Sequence, residues 1–375
     1  MMLVTPASLF LPSTTHMKKK ICFLLAFTVI NGFVSGQTTK AALFIDSFTK
    51  QHSFNGTILL AKKGKASHKK SFGMAHFQMK VPNTPDTRYK IASITKAFTA
   101  VLILQLYEQG KIDLNKPIRT YLPGYKGEGA DKVTIAQLLN MTSGIWNMDE
   151  GVTLESALKS GMPAYQLPHT SDEMLTLFCS GKLKSEPGKV WDYNNANYMI
   201  LGKVIEQVAG KTFEQQLQTM ILQPLEMKHT GIAYQQTMIA GLASTYFYRD
   251  DIQTLVNDLP VYTENWYASG AMYATADDLL RFTRALFERK LLKQATLDLM
   301  FTPGAGEYGY GVLVYKAYDI HQKHYTIVKR PGSIMGAQTM LFHVLEEDAT
   351  ILILSNASTV SLDEFAAAIA ERFID

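Results

Sequence analysis

Cysteine is nearly missing from this 375-residue chain, which holds two, Cys22 and Cys179. Cys22 lies in an N-terminal stretch that reads as removable. Cys179 is then left alone, which excludes an internal disulfide even in an oxidising compartment. Its neighbours Leu175, Leu177 and Phe178 point to a buried, inert thiol. An excess of charge is missing too. Residues 1–36 hold three lysines and no acid, and without them 34 basic residues face 33 acidic ones. That balance gives no ground for nucleic acid or an anionic membrane as partner. No apolar run reaches the roughly 20 residues of a membrane helix, so no stable span is expected in the mature form. Repeats and low-complexity tracts are also lacking.

The N-terminus does carry a pattern. Met17 precedes Lys18, Lys19 and Lys20, an apolar run follows from Ile21 to Val34, and Val34-Ser35-Gly36 stands before Gln37. A basic start, a short hydrophobic stretch and small residues describe a secretory signal peptide. We expect a start at Met17, cleavage near Gly36 and a periplasmic or secreted product; a retained N-terminal anchor is the alternative. Residues 1–36 are thus extension and signal, and 37–375 one folded domain with a substantial core.

Along that domain, a helix is expected near Ala41–Phe48, then strands over Gly56–Ala61 and His68–Ala75 joined by Lys63-Gly64-Lys65. From about Ser93 to Arg289 the pattern is mainly helical. Ala97–Leu106 is nearly all apolar, as in a helix enclosed by others. Further helices are expected at Ile135–Leu139, Asp172–Phe178, Ala196–Val208, Phe213–Ile221 and Thr275–Phe287. After Gly304 come strand-like runs at Tyr310–Tyr318, His324–Lys329, Gln338–Leu345 and Thr350–Leu354. Their short connections demand antiparallel hairpins. A last helix spans about Leu362–Phe373. The expected class is α+β, an antiparallel sheet built from both chain ends with flanking helices. A helical lobe of about 93–290 is inserted in it, with the site at the seam.

Ser-x-x-Lys occurs four times, at Ser47, Ser67, Ser93 and Ser156, so the string alone is weak. Only Ser93 stands at the mouth of a strongly apolar helix. Lys96, three residues on, returns to the same face, where its amine can approach the Ser93 hydroxyl. A serine hydroxyl is a poor nucleophile until a base takes its proton. A lysine can be that base where burial disfavours its charge. The plain alternative is an N-capping serine beside a solvated lysine.

Tyr-x-Asn occurs once, at Tyr193–Asn195. A phenol beside a cationic lysine has its ionised form favoured, so Tyr193 can carry a proton to a leaving group. Asn195 can hold Lys96 and the substrate, or simply cap the helix beginning near Ala196. In Arg330-Pro331-Gly332, Arg330 can grip a substrate carboxylate with two parallel bonds. Gly332 lets a substrate backbone come close, and the Ser333 N–H can complete an oxyanion hole with that of Ser93. Together these supply acyl transfer through a serine ester, with no metal or cofactor required.

At this point the chain resembles the β-lactamase-related serine hydrolases, nearest the class C β-lactamases, the D-alanyl-D-alanine carboxypeptidases and esterases of that fold. The matching segments include Phe54-Asn55-Gly56-Thr57 and Tyr89–Thr99, which contains Ser93-Ile94-Thr95-Lys96. They continue through Gly110-Lys111-Ile112-Asp113-Leu114, Leu138–Gly144, Asn197–Gly202, Ala268-Ser269-Gly270 and Ala274–Leu279. The resemblance implies a β-lactamase/transpeptidase-like fold, acylation at Ser93, Lys96 and Tyr193 as the proton-transfer pair, and Asn195 as helper. The substrate it implies is a small molecule or peptide: D-amino acid peptides, β-lactams or small esters. A slow or non-catalytic module binding penicillin or cell-wall peptides is the alternative. The third motif departs from the usual Lys-Thr-Gly or His-x-Gly, and Pro331 supplies neither hydroxyl nor N–H.

Weaker strings read as ordinary structure. Gly304–Gly309 fits a dinucleotide-binding string but precedes a strand and opens no helix. His321 and His324 form His-x-x-His on a hairpin turn and read as solvated. The aromatics Trp146, Trp191, Tyr246, Tyr248 and Trp266 are candidates for core or cleft.

Overall fold

The computed structural model describes residues 39–374, so the proposed signal segment lies outside the described residues. Helix α1 (Lys40–Gln51) opens this part, and the Thr39 hydroxyl caps it by accepting from the Ala42 N–H at 3.2 Å. Strands β1 (Gly56–Lys62) and β2 (Lys65–Phe72) follow. The middle of the chain holds α2 (Thr95–Glu108), α3 (Ile135–Leu139), α4 (Ser171–Phe178), α5 (Asn195–Ala209) and α6 (Ala276–Phe287), with shorter turns between. Strands β3 (Leu313–Ile320), β4 (Lys323–Ile334), β5 (Ala337–Val344) and β6 (Ala349–Ser355) come next, and α7 (Leu362–Phe373) ends it.

The six strands form one sheet in the order β3-β4-β5-β6-β1-β2, antiparallel throughout. The first strands of the chain thus pair with the last. The fold is α+β. Side-chain alternation along β1 and β6 gives the sheet two buried faces. Ile58, Leu60, Ile351 and Ile353 enter one core with Ile45 of α1 and Phe365 of α7. Leu59, Ala61, Leu352 and Leu354 enter the other, with Phe98 and Val101 of α2. Eleven of the fourteen residues of α2 are buried, as its nearly unbroken apolar run requires.

Element boundaries differ from expectation at informative places. The fourth strand does not stop at Lys329 but runs to Ile334, straight through Pro331. Register explains why a proline fits there. Ile334 and Ala337 flank a two-residue turn and form its closing hydrogen-bonded pair, so alternation makes Ser333–Gln338 and Pro331–Met340 the non-bonded pairs. The missing N–H of Pro331 would have pointed away from β5. On that side β3 reaches no further along β4 than Lys329, so no ladder bond is lost. The helix expected over Phe213–Ile221 divides at Leu217 into an α-turn and a wider i→i+5 turn over Gln218–Leu222.

Candidate active site

Ser93 sits in a single tight turn, Ala92–Ile94, that leads directly into α2. Ala92 before it has φ +46°, a left-handed conformation costly for a residue with a Cβ, on the order of 1 kcal/mol. Packing enforces it: Ile91, Ala92 and Ile94 are fully buried, whereas Ser93 is half-buried and open to the cleft. Gly332 is part of that packing. A Cβ there would lie 2.5 Å from the Ile91 carbonyl oxygen and 3.0 Å from the Ser93 nitrogen. The glycine expected to admit a substrate backbone instead admits the backbone that carries Ser93.

Lys96 is wholly buried at the start of α2. Its Nζ donates to Ser93 Oγ at 3.1 Å, to Asn195 Oδ1 at 2.6 Å and to the Ser269 carbonyl at 2.9 Å. Three acceptors match the three protons of an ammonium. Burial nonetheless pulls its pKa down to about 8; the nearby Arg330 charge adds to this, and Tyr193 opposes it.

Tyr193 reaches the site from the loop before α5. Its hydroxyl donates to Ser93 Oγ at 2.7 Å. The Asn147 amide fixes the loop by donating to the Tyr193 carbonyl at 2.9 Å. Burial acts to raise the phenol's pKa, but the Arg330 and Lys96 charges beside it outweigh burial and bring it down. Asn194, not Asn195, caps α5, accepting from the Ala196 N–H at 2.9 Å. Asn195 is thereby free for the site, where it accepts from Lys96 and donates from Nδ2 to Asp149 Oδ2 at 2.7 Å.

Arg330 departs most from expectation. It is 2 % exposed, and its donors turn inward: Nε to the Ser93 carbonyl at 2.9 Å, Nη1 to the Tyr308 hydroxyl at 2.8 Å, and Nη2 to the Tyr193 hydroxyl. A substrate carboxylate cannot take both prongs of a fork already closed on two phenols. The correction is physical: β4 continues through residue 330, whose side chain therefore points to the buried face. Ser333, two residues after Pro331, is exposed at the cleft, and its N–H shares the outward direction of its non-bonded register position.

The structure therefore brings Ser93, Lys96, Tyr193, Asn195 and Arg330 into one hydrogen-bonded cluster, with Ser333 on the cleft wall. A cavity of about 480 Å³ opens here, walled in part by Tyr193, Asn195, Asp149, Trp266 and Ser333. A larger hollow of about 660 Å³, walled by Phe287, Asp298 and His343, holds none of these groups. Two partners escaped the sequence. Asp149 lies 46 residues from Asn195 with no spacing signal to link them. Tyr308 lies inside the glycine-rich string Gly304–Gly309, whose composition signals a loop and nothing of a partner for Arg330. Cys179 is fully buried, 3.4 Å from the Met199 sulfur, and burial pushes its thiol up. His321 on the β3–β4 turn and His324 at the start of β4 are exposed, and no metal-binding cluster occurs among the described residues.

A six-stranded antiparallel sheet over a helical layer, with serine, lysine and tyrosine at the seam, is the arrangement of penicillin-binding and β-lactamase-type proteins. The beta-lactamase family model matches residues 41–373, and the chain belongs to that family. It is 31% identical over 280 residues to the Bacillus subtilis protein described as penicillin-binding protein PbpX, covering 75% of this chain and 66% of that one. It is 28% identical over 265 residues to the teichoic acid D-alanine hydrolase of Staphylococcus aureus, covering 70% of this chain and 62% of that one. The chain thus spans less than two thirds of the length of these two relatives. Among solved structures it is similar to the penicillin binding protein from Bacillus halodurans, with a TM-score of 0.74 and 27% identity, covering 87% of this chain and 98% of that one. That family is the β-lactamase-related serine hydrolases.

Proposed function

We propose that the protein is an exported hydrolase that cleaves ester or amide bonds through an acyl-enzyme at Ser93. The observation that carries this is the double contact on one oxygen: Ser93 Oγ has Lys96 Nζ at 3.1 Å and Tyr193 Oη at 2.7 Å. In the reactive form the Lys96–Tyr193 pair has lost one proton. Tyr193 takes the Ser93 proton as Oγ attacks the substrate carbonyl carbon. The N–H groups of Ser93 and Ser333 receive the charge on the carbonyl oxygen. Tyr193 then gives its proton to the leaving amine or alkoxide as that bond breaks. A water enters, loses a proton to Tyr193 and attacks the ester; Ser93 leaves with that proton.

Lys96 keeps a positive charge beside the phenolate, and Asn195 keeps Lys96 in place. Arg330 acts on Tyr193 from behind. On this reading residues 93–290 are the inserted helical lobe whose seam with the sheet forms the cleft, and the leader ending near Gly36 directs export. The test is labelling with a fluorophosphonate or a fluorescent penicillin, followed by intact mass. Wild type gains one adduct and Ser93→Ala none; equal labelling of the two ends the proposal.

The similarity to a penicillin-binding protein supports a second reading, a binder that acylates but turns over slowly. Turnover of p-nitrophenyl esters separates the two, since a binder releases at most one equivalent.

A further inference from the structure

We infer that the cleft selects acyl groups bearing a cationic amine, held by the carboxylate of Asp149. This rests on acylation at Ser93 as proposed above, and names the class of substrate that site would take.

The carboxylate is built into the site. Tyr165 donates its hydroxyl to Asp149 Oδ1 at 2.7 Å, and Asn195 donates Nδ2 to Oδ2 at 2.7 Å. Tyr165 is itself fixed, its ring stacked on Trp266 at 3.7 Å and nearly parallel. Each carboxylate oxygen accepts these bonds with one lone pair and retains another. Asp149 is only partly buried, and its carboxylate belongs to the cleft wall. Through Asn195 it stands one side chain from Lys96 Nζ, which touches Ser93 Oγ. A short substituent on an acyl carbon at Ser93 therefore lies within its neighbourhood.

Charge in the cleft is one-sided. Among the residues that line it, Asp149 is the one that carries a formal charge. The two cations near Ser93, Lys96 and Arg330, are buried and bonded to protein acceptors. A substrate carboxylate entering here meets a like charge and no open cation; an ammonium meets its complement. The remaining wall is largely apolar, with Val152, Met162, Trp266 and Ile334, which strengthens an ion pair relative to water and accommodates a small aliphatic side chain. The ligand class that satisfies all three features is an aminoacyl ester or amide with its amine free.

The test compares kcat/KM of the full chain on three p-nitroanilides, of alanine, N-acetylalanine and N-succinylalanine, each as both enantiomers. Assays at pH 6.5 keep the free amine charged. We expect the free amine of at least one enantiomer to lead the N-acetyl compound by about tenfold, the scale of one partly exposed ion pair, with the N-succinyl compound last. In Asp149→Asn, which removes the charge, keeps one oxygen to accept from Asn195 and places an amide that can donate to the Tyr165 hydroxyl, the ratio between the first two falls toward one. Propylammonium should inhibit wild type competitively and more strongly than propionate, a readout that needs no variant. An N-acetyl compound turned over as well as the free amine overturns the inference. So does an Asp149→Asn variant that loses the same factor on all three, because Asp149 would then act through Asn195 on Lys96. If fluorophosphonate labels Ser93 while the amine gives no advantage, this inference alone fails. If Ser93 is not labelled and no anilide is cleaved, the hydrolase proposal fails and takes this one with it.

Discussion

Arg330 donates from Nη2 to the phenol oxygen of Tyr193, with its guanidinium carbon 5.2 Å from the ring centroid, so a fixed cation sits buried against a titratable hydroxyl. Lys96 lies 4.9 Å from the same centroid. Two positive groups thus crowd one phenol while both it and Lys96 are removed from water.

The first consequence is a pH profile. Lys96 and Tyr193 are each brought down to about 8, by burial in the first case and by the two cations overcoming burial in the second. As a coupled pair they lose one proton in that region. Below it the pair is fully protonated and cannot accept the Ser93 proton. We expect kcat/KM for a neutral ester to rise with pH through a midpoint near 8 and then level off. A flat profile between pH 6 and 9 would remove the pair from acylation.

The second concerns Arg330→Gln. Arg330 lowers the pKa of both Tyr193 and Lys96, so loss of its charge moves both upward. The midpoint should shift to higher pH, and kcat/KM at pH 7 should fall by about tenfold or more, the equivalent of one pKa unit. The loss should be equal for anionic and neutral substrates, because the guanidinium faces phenols and not the cleft. A rise in KM confined to anionic substrates would restore the carboxylate clamp and defeat this account.

What could be read from the chain alone follows a physical divide. Elements whose periodicity is local were legible: α7 appears with its expected limits, and the apolar run of α2 became an enclosed helix. The three short connections between the four strands after Gly304 dictated antiparallel pairing, which the sheet has. Within the site, Ser93 and Lys96 are neighbours on one helical face, and Tyr-x-Asn is a single unambiguous string. The setting of Arg330 was not legible, because its direction depends on how far β4 continues through a proline. That depends on where β3 ends. Asp149 was hidden for a similar reason: its link to Asn195 arises from loop packing and leaves no mark in the spacing of residues.

A third prediction concerns Gly332→Ala. The new Cβ would sit 2.4 Å from Thr339 Oγ1 and 2.5 Å from the Ile91 carbonyl oxygen, both in buried surroundings with little room to move. Overpacking of this kind costs about 1–3 kcal/mol. Relief requires the turn carrying Ser93 to shift away from β4, which also displaces the Ser93 N–H. We expect a Tm lower by several degrees and kcat/KM down by about a hundredfold, the scale of a lost oxyanion donor. A variant with normal Tm and normal kcat/KM would show that the turn yields freely.

The last prediction separates stability from chemistry. Phe365 of α7 is 1% exposed and stacks on Phe48 of α1 with centroids 4.0 Å apart, with Phe54 tilted against it at 5.7 Å. These rings fill the core on the sheet face that Ile58, Leu60 and Ile353 line, whereas Ser93 belongs to the opposite face through Ala92, Ile94 and Leu59. Phe365→Ala empties a ring-sized space between two helices and the sheet, at a cost of about 3–5 kcal/mol. Because the sheet stands between that space and the cleft, kcat/KM of the folded fraction at 20 °C should stay within a factor of two of wild type. Denaturant unfolding measures the first quantity and ester turnover the second. A large drop in kcat/KM in protein still fully folded would mean that the two faces are coupled through β1 and β6, and that the sheet is no barrier between its cores.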